Sequence, residues 1–165
     1  MQNPFSAFFS LFKKKGRTIF DAFKDNMGNF EISYPKGWHF DRDIAVVDGK
    51  YSVSFQSGKG RFTVSVDPNL PKGFDFAGYA HAEHEGPCSG ICASLEKSRF
   101  RGKPSFKRDY VYLSGGERYF AGDLIFKSGD IVFSLNWSAP EQDREGMSAI
   151  FSKMVDSLST KKGGS

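Results

Sequence analysis

Cysteine is nearly absent from this chain: Cys88 and Cys92 are the only two among 165 residues. Two thiols cannot build the disulfide framework that holds small secreted domains together. Histidine is almost as scarce, with only His39, His81 and His84 as candidate bases. No Gly-x-Ser-x-Gly elbow occurs, so a hydrolase triad is not supported. Gly58-Lys59-Gly60 joins two alternating runs and opens no helix, so it is not a phosphate loop. No apolar run approaches the length of a membrane span. The N-terminus also lacks the order of a secretory signal, because the apolar cluster Phe5 to Phe12 precedes Lys13, Lys14 and Lys15. The expected compartment is therefore the cytoplasm.

What is present suits one folded domain. Hydrophobic residues make up 39% and charged residues 25%, enough apolar surface for a core and too little charge for wholesale disorder. Phenylalanine supplies 18 residues, and large rings fill a sheet-on-helix core efficiently. The net charge of +4 is uneven. Met1 to Gly28 holds five Lys/Arg against two Asp, whereas Asn29 to Thr160 holds 16 basic and 17 acidic residues. The body is thus near neutral, which argues against a uniformly basic nucleic-acid surface.

Periodicity gives the elements. Pro4 to Lys24 reads as an amphipathic helix, with Phe5, Phe8, Phe9, Phe12, Ile19, Phe20 and Phe23 on one side and a break at Gly16. Phe30 to Tyr34 reads as a strand. Tyr51 to Gln56 and Arg61 to Val66 alternate strictly around a Gly turn, which predicts a hairpin with one apolar and one wet face. Asp67 to Gly90 is an irregular Pro- and Gly-rich excursion, with a short helix expected within Asp75 to Glu85. Strands follow over Ala93 to Arg99, Ser105 to Leu113, Glu117 to Phe126 and Ile131 to Trp137. Then Met147, Ile150, Phe151, Met154, Val155 and Leu158 recur at helical spacing behind Pro140. The expected fold is α+β: a central antiparallel sheet of about six or seven strands, with a C-terminal amphipathic helix packed on it and an N-terminal helix. Residues 1–28 form a helical appendage in this reading, 29–160 the domain and 161–165 a disordered tail.

The run Phe30-Glu31-Ile32-Ser33-Tyr34-Pro35-Lys36-Gly37-Trp38 resembles the opening of PsbP-like domains. Ser138-Ala139-Pro140-Glu141, followed by a helix ending Phe151-Ser152-Lys153-Met154-Val155-Asp156-Ser157-Leu158, is similar to that family's C-terminal half. The resemblance covers about Asn29 to Thr160. It implies a central antiparallel sheet with helices on its faces. It implies little about activity, since such relatives include extrinsic photosystem II proteins, Ran-binding Mog-type factors and others without a known role.

Three clusters could carry function. His81, His84, Cys88 and Cys92 lie within twelve residues, and imidazole and thiolate are the ligands tetrahedral zinc prefers. The spacing is not a standard one, so a disulfide between the two cysteines or unrelated thiols are the alternatives. Zinc is the only cofactor the sequence suggests. Lys97, Arg99, Arg101, Lys103, Lys107 and Arg108 interleave with Phe100, Phe106 and Tyr110. Such a patch can bind phosphates, but a solvated strand edge guarded by Lys and Arg has the same composition. Alternation also puts Phe106, Arg108, Tyr110 and Tyr112 on one face and Lys107 on the other. Finally, Phe5, Phe8, Phe9 and Phe12 followed by Lys13, Lys14 and Lys15 need cover, from the domain, a protein partner or a membrane surface.

The sequence thus points to a non-catalytic binding or scaffolding module that acts through a protein partner. A metal-binding protein with enzymatic capacity and a peripheral membrane protein held by residues 4–24 are the alternatives. Nucleic acid is not an expected partner.

Overall fold

The computed structural model describes residues 17–44, 48–84 and 94–161. Ten strands and two α-helices appear among them. In chain order they are β1 (Phe20–Lys24), β2 (Phe30–Pro35), β3 (His39–Ile44), β4 (Tyr51–Ser57), β5 (Gly60–Asp67) and α1 (Phe76–His84), then β6 (Glu96–Phe100), β7 (Lys103–Ser114), β8 (Glu117–Ser128), β9 (Ile131–Pro140), α2 (Arg144–Ser157) and β10 (Ser159–Thr160). A short 3-10 turn over Glu141–Asp143 leads into α2.

Seven strands form one antiparallel sheet in the order β3-β4-β5-β9-β8-β7-β6. A smaller sheet, β1-β2-β10, packs with α2 against one face of it. The core lies between these layers because the apolar halves of the alternating strands point there. Val53 and Phe55 on β4, Phe62 and Val64 on β5, and Leu135 on β9 are fully buried. From the opposite layer come Phe30 and Ile32 on β2 and Met147, Phe151 and Met154 on α2. Phe151 is the hub, with its ring within 6.5 Å of Trp38, Phe62, Phe120 and Trp137. Trp137 lies on the bare backbone of Gly122, where a Cβ would sit 2.5 Å from Trp137 Cε2. Burying side chains of this size contributes about 1.5–3 kcal/mol each before entropy is counted.

The central sheet, the Tyr51–Val66 hairpin, the short helix after Asp75 and the long C-terminal helix are all as the periodicity predicts. The N-terminal helix is not, at least at its C-terminal end: Phe20–Lys24 is a strand paired with β2. Phe23 packs against Phe30, Phe40 and Phe55, and Phe20 lies against the same core under the Lys153 ammonium. Apolar residues three apart fit a helix locally, but the ladder to β2 and this aromatic cluster decide the conformation. Asn26 and Gly28 turn β1 into β2, with Gly28 at φ 73°. The folded body therefore begins before Asn29. Phe5, Phe8, Phe9, Phe12, Lys13, Lys14 and Lys15 lie outside the described residues.

The two sheets are locked together by a buried carboxylate. Asp25, at the end of β1, is 2% exposed. It accepts hydrogen bonds from the Tyr51 hydroxyl at 2.5 Å and from the backbone N–H of Asn29 at 3.2 Å, and it pairs with the Arg42 guanidinium. Asn29 in turn donates to the Tyr51 oxygen at 2.8 Å. Burial, followed by the Asp25 hydrogen bond, pushes the Tyr51 phenol far above its ordinary range.

Candidate functional site: the second face of the large sheet

The other face of the seven-stranded sheet carries the polar halves of the same strands. Register lines them up in rows. One row runs Asp43, Ser52, Ser65, Ser134, Ile125, Phe106 and Lys97 across all seven strands. The next runs Asp41, Ser54, Thr63, Asn136, Asp123 and Arg108. A third runs His39, Gln56, Arg61, Ser138, Ala121 and Tyr110. Beyond it Tyr112 lies opposite Tyr119.

Helix α1 covers only the apolar corner of this face. Ala80 is buried with Phe106, Ile125, Val132 and Leu95, and Phe74, Phe76 and Tyr79 pack around them. The remaining rows are knit by hydrogen bonds between side chains. Ser54 Oγ and Thr63 Oγ1 are 2.9 Å apart, Arg61 donates to Ser54 at 3.0 Å, and Gln56 donates to Asp41 at 2.9 Å. Asp123 anchors the row. Its side chain is 2% exposed, and it accepts from Arg108 Nε at 2.8 Å, Arg108 Nη2 at 2.5 Å and Asn136 at 2.6 Å. Two N–H groups of one guanidinium on one carboxylate oxygen fix the Arg108 plane, which lies 4.7 Å from the Tyr110 ring centre. Burial and the Asp123 charge raise the Tyr110 phenol above its ordinary range, so it stays a neutral donor at physiological pH. Tyr112 stacks on Tyr119 at 5.3 Å, with Tyr110 at 6.2 Å from Tyr112. The result is an aromatic and polar lattice of partly buried side chains joined by hydrogen bonds and ring contacts.

The residues singled out by sequence are scattered over the molecule. His81 lies on α1 with its ring 5.6 Å from Phe106. His84 ends the same helix, and Cys88 and Cys92 lie outside the described residues. Among the described residues no group of three or more His, Cys, Asp or Glu side chains is placed to hold a metal. Of the basic cluster, Lys97 and Arg99 sit on edge strand β6, while Lys103 and Lys107 sit on β7 pointing to the opposite face. Arg101 donates instead to the Val155 and Asp156 carbonyls at the end of α2, at 3.3 and 2.9 Å. Arg108 alone of the six joins the Asp123–Tyr110 cluster, while Lys97 ends the first row at the sheet edge. Asp123 and Asn136 lie outside the three clusters that the sequence picks out. Their signal is a polar residue that interrupts the apolar run Phe120-Ala121-Gly122-Asp123-Leu124-Ile125, and a polar residue that alternates with core-facing Leu135 and Trp137.

No protein-family model and no curated protein matches the sequence. Solved structures do resemble the fold. One from Bacteroides thetaiotaomicron is 17% identical with a TM-score of 0.60 over 87% of this chain, which spans about half (49%) of that longer protein. Cyanobacterial PsbP from Synechocystis is 16% identical with a TM-score of 0.61, covering 92% of this chain and 99% of its own. The Ran-binding protein Mog1p of Saccharomyces cerevisiae is 11% identical with a TM-score of 0.54, covering 88% and 97%. At these identities the likeness speaks for architecture, and it agrees with the order of elements, the large antiparallel sheet and the C-terminal helix: this chain has the PsbP/Mog1-like fold.

Proposed function

We propose that this chain is a non-catalytic binding module whose docking surface for a protein partner is the second face of the large sheet. The observation that carries this is the cluster of partly exposed rings Tyr110, Tyr112 and Tyr119, fixed beside the Arg108–Asp123 pair. Tyr and Arg dominate the energetics of protein interfaces because they offer large contact area with polar ends. Rigid side chains also lose little entropy on docking, and these are already held by stacking and by Asp123. The central charged groups are engaged in structural hydrogen bonds, as Asp123 is with Arg108 and Asn136 and Asp41 is with Gln56. That arrangement suits recognition better than proton transfer. The Ran-binding activity named for Mog1p is in keeping with a partner-binding use of this fold.

The test is affinity capture from the native host, comparing the full chain with a Tyr112→Ala/Tyr119→Ala variant of unchanged melting temperature. A discrete protein that the parent retains and the variant loses supports the reading. Equal retention by both, or a purified sample that turns over substrate, overturns it.

A further inference from the structure

Where the lattice meets α1, the sheet forms a cavity of about 290 Å³. Its floor is the row Ser52, Ser65 and Ser134, one wall is Tyr79 of α1, and its outer side is Asp43 on edge strand β3. Lys50 also reaches it, but its ammonium is engaged by Asp67 at 3.3 Å and lies 5.5 Å from the Tyr79 ring centre. Asp67 is further bound by the Tyr79 hydroxyl at 3.0 Å. The Lys50 charge is thus paired with Asp67 at the cavity edge. Asp43 is different. Among the described residues it has neither an ion-pair nor a hydrogen-bond partner, and the Ser52 and Ser65 hydroxyls beside it bond to no other side chain.

Among the described lining residues, the groups without a partner are therefore the Asp43 carboxylate, which only accepts, and the Ser52 and Ser65 hydroxyls, which can accept as well. Such a lining calls for a donor-rich cation. A guanidinium offers five N–H donors and no acceptor, and an ammonium offers three. A neutral apolar group would leave Asp43 unpaired beside it. A phosphate or carboxylate would face the Asp43 charge, and Lys50, the cation among the described lining residues, is already paired with Asp67.

We infer that this cavity is the receptor for one basic side chain, Arg or Lys, presented by the protein partner. Asp43 takes the charge and Ser52 and Ser65 take the remaining donors. The inference rests on the reading of this face as a docking surface and adds to it the chemistry of the group that enters beside α1.

The test uses the full chain and N-acetyl-arginine amide, with N-acetyl-norleucine amide as the uncharged control, followed by backbone amide NMR. The arginine probe should give saturable shifts at Asp43, Ser52 and Ser65 that the norleucine probe does not. Asp43→Asn should weaken the arginine probe by about two- to fivefold, the scale of one lost exposed ion pair, with an unchanged melting temperature because Asp43 is exposed. The same replacement should reduce capture of the partner. Equal shifts from both probes, or an Asp43→Asn titration that matches the parent, would overturn the inference. So would glycerol moving the same amides with the same affinity, which would make the cavity a polyol site. If Asp43→Asn abolishes probe binding yet leaves partner capture intact, the assignment to the partner's side chain fails while the docking face survives. Loss of the docking face itself is read separately, from the tyrosine variant.

Discussion

Replacing Asp123 with alanine should be among the most damaging single changes on the polar face. The Asp123 side chain is 2% exposed, and that of Arg108 is 14% exposed. Alanine removes the carboxylate that accepts two N–H groups of that guanidinium and also the acceptor for Asn136. Breaking a buried pair by deleting one partner costs about 3–5 kcal/mol, because the remaining charge stays desolvated. For a domain of this size that corresponds to a fall in melting temperature of roughly 6–20 °C. Urea unfolding monitored by fluorescence and circular dichroism gives the number directly, provided the two transitions coincide. The double variant Asp123→Leu/Arg108→Met should recover most of the loss, since both charges leave together and the pair need not be net stabilising. A loss below about 1 kcal/mol in the single variant would place the pair with solvent-exposed ion pairs and refute the reasoning. A double variant as unstable as the two single losses added together would refute it equally.

Further consequences concern the core and the latch between the sheets. Gly122→Val should cost about 1–3 kcal/mol in chemical denaturation, because the new side chain must displace the Trp137 ring. Phe151→Ala should cost about 3–5 kcal/mol in the same assay, since four aromatic neighbours lose their shared contact. In an alkaline spectrophotometric titration, Tyr51 should ionise far above the ordinary tyrosine range. Its folded-state pKa is raised, so the neutral phenol is the form the fold favours. The stability this contributes is intact below pH about 10, the unfolded value, and declines as pH rises above it. Tyr51→Phe should remove that part of the alkaline dependence.

Much of the architecture is legible in the sequence because its signals are local. Strict alternation in Tyr51 to Val66 fixes which half of each strand is apolar, and the spacing of Met147, Phe151 and Met154 fixes the face of α2. Strand β3 is hidden by its composition: His39-Phe40-Asp41-Arg42-Asp43-Ile44 looks like a polar turn, and its pairing on the sheet edge is what makes it a strand. Strand β1 is disguised as helix because Phe20 and Phe23 are three residues apart. The small sheet has no signature of its own, since β10 is only two residues long and exists through its pairing with β2. The candidate site was legible only as a wet face. That Ser52, Ser65 and Ser134 form one row, or that Arg108 reaches Asp123, depends on strand order and register. No pattern along the chain states these long-range relations.

The most direct test of the docking account is site-specific photo-crosslinking in the native host. A photoreactive amino acid is placed at position 112, on the tyrosine lattice, or at position 153, on the outer surface of α2. The account predicts one discrete crosslinked protein from position 112, none from position 153, and loss of the adduct when Tyr119→Ala is added. Equal adducts from both positions, or an adduct from position 153 alone, would contradict it.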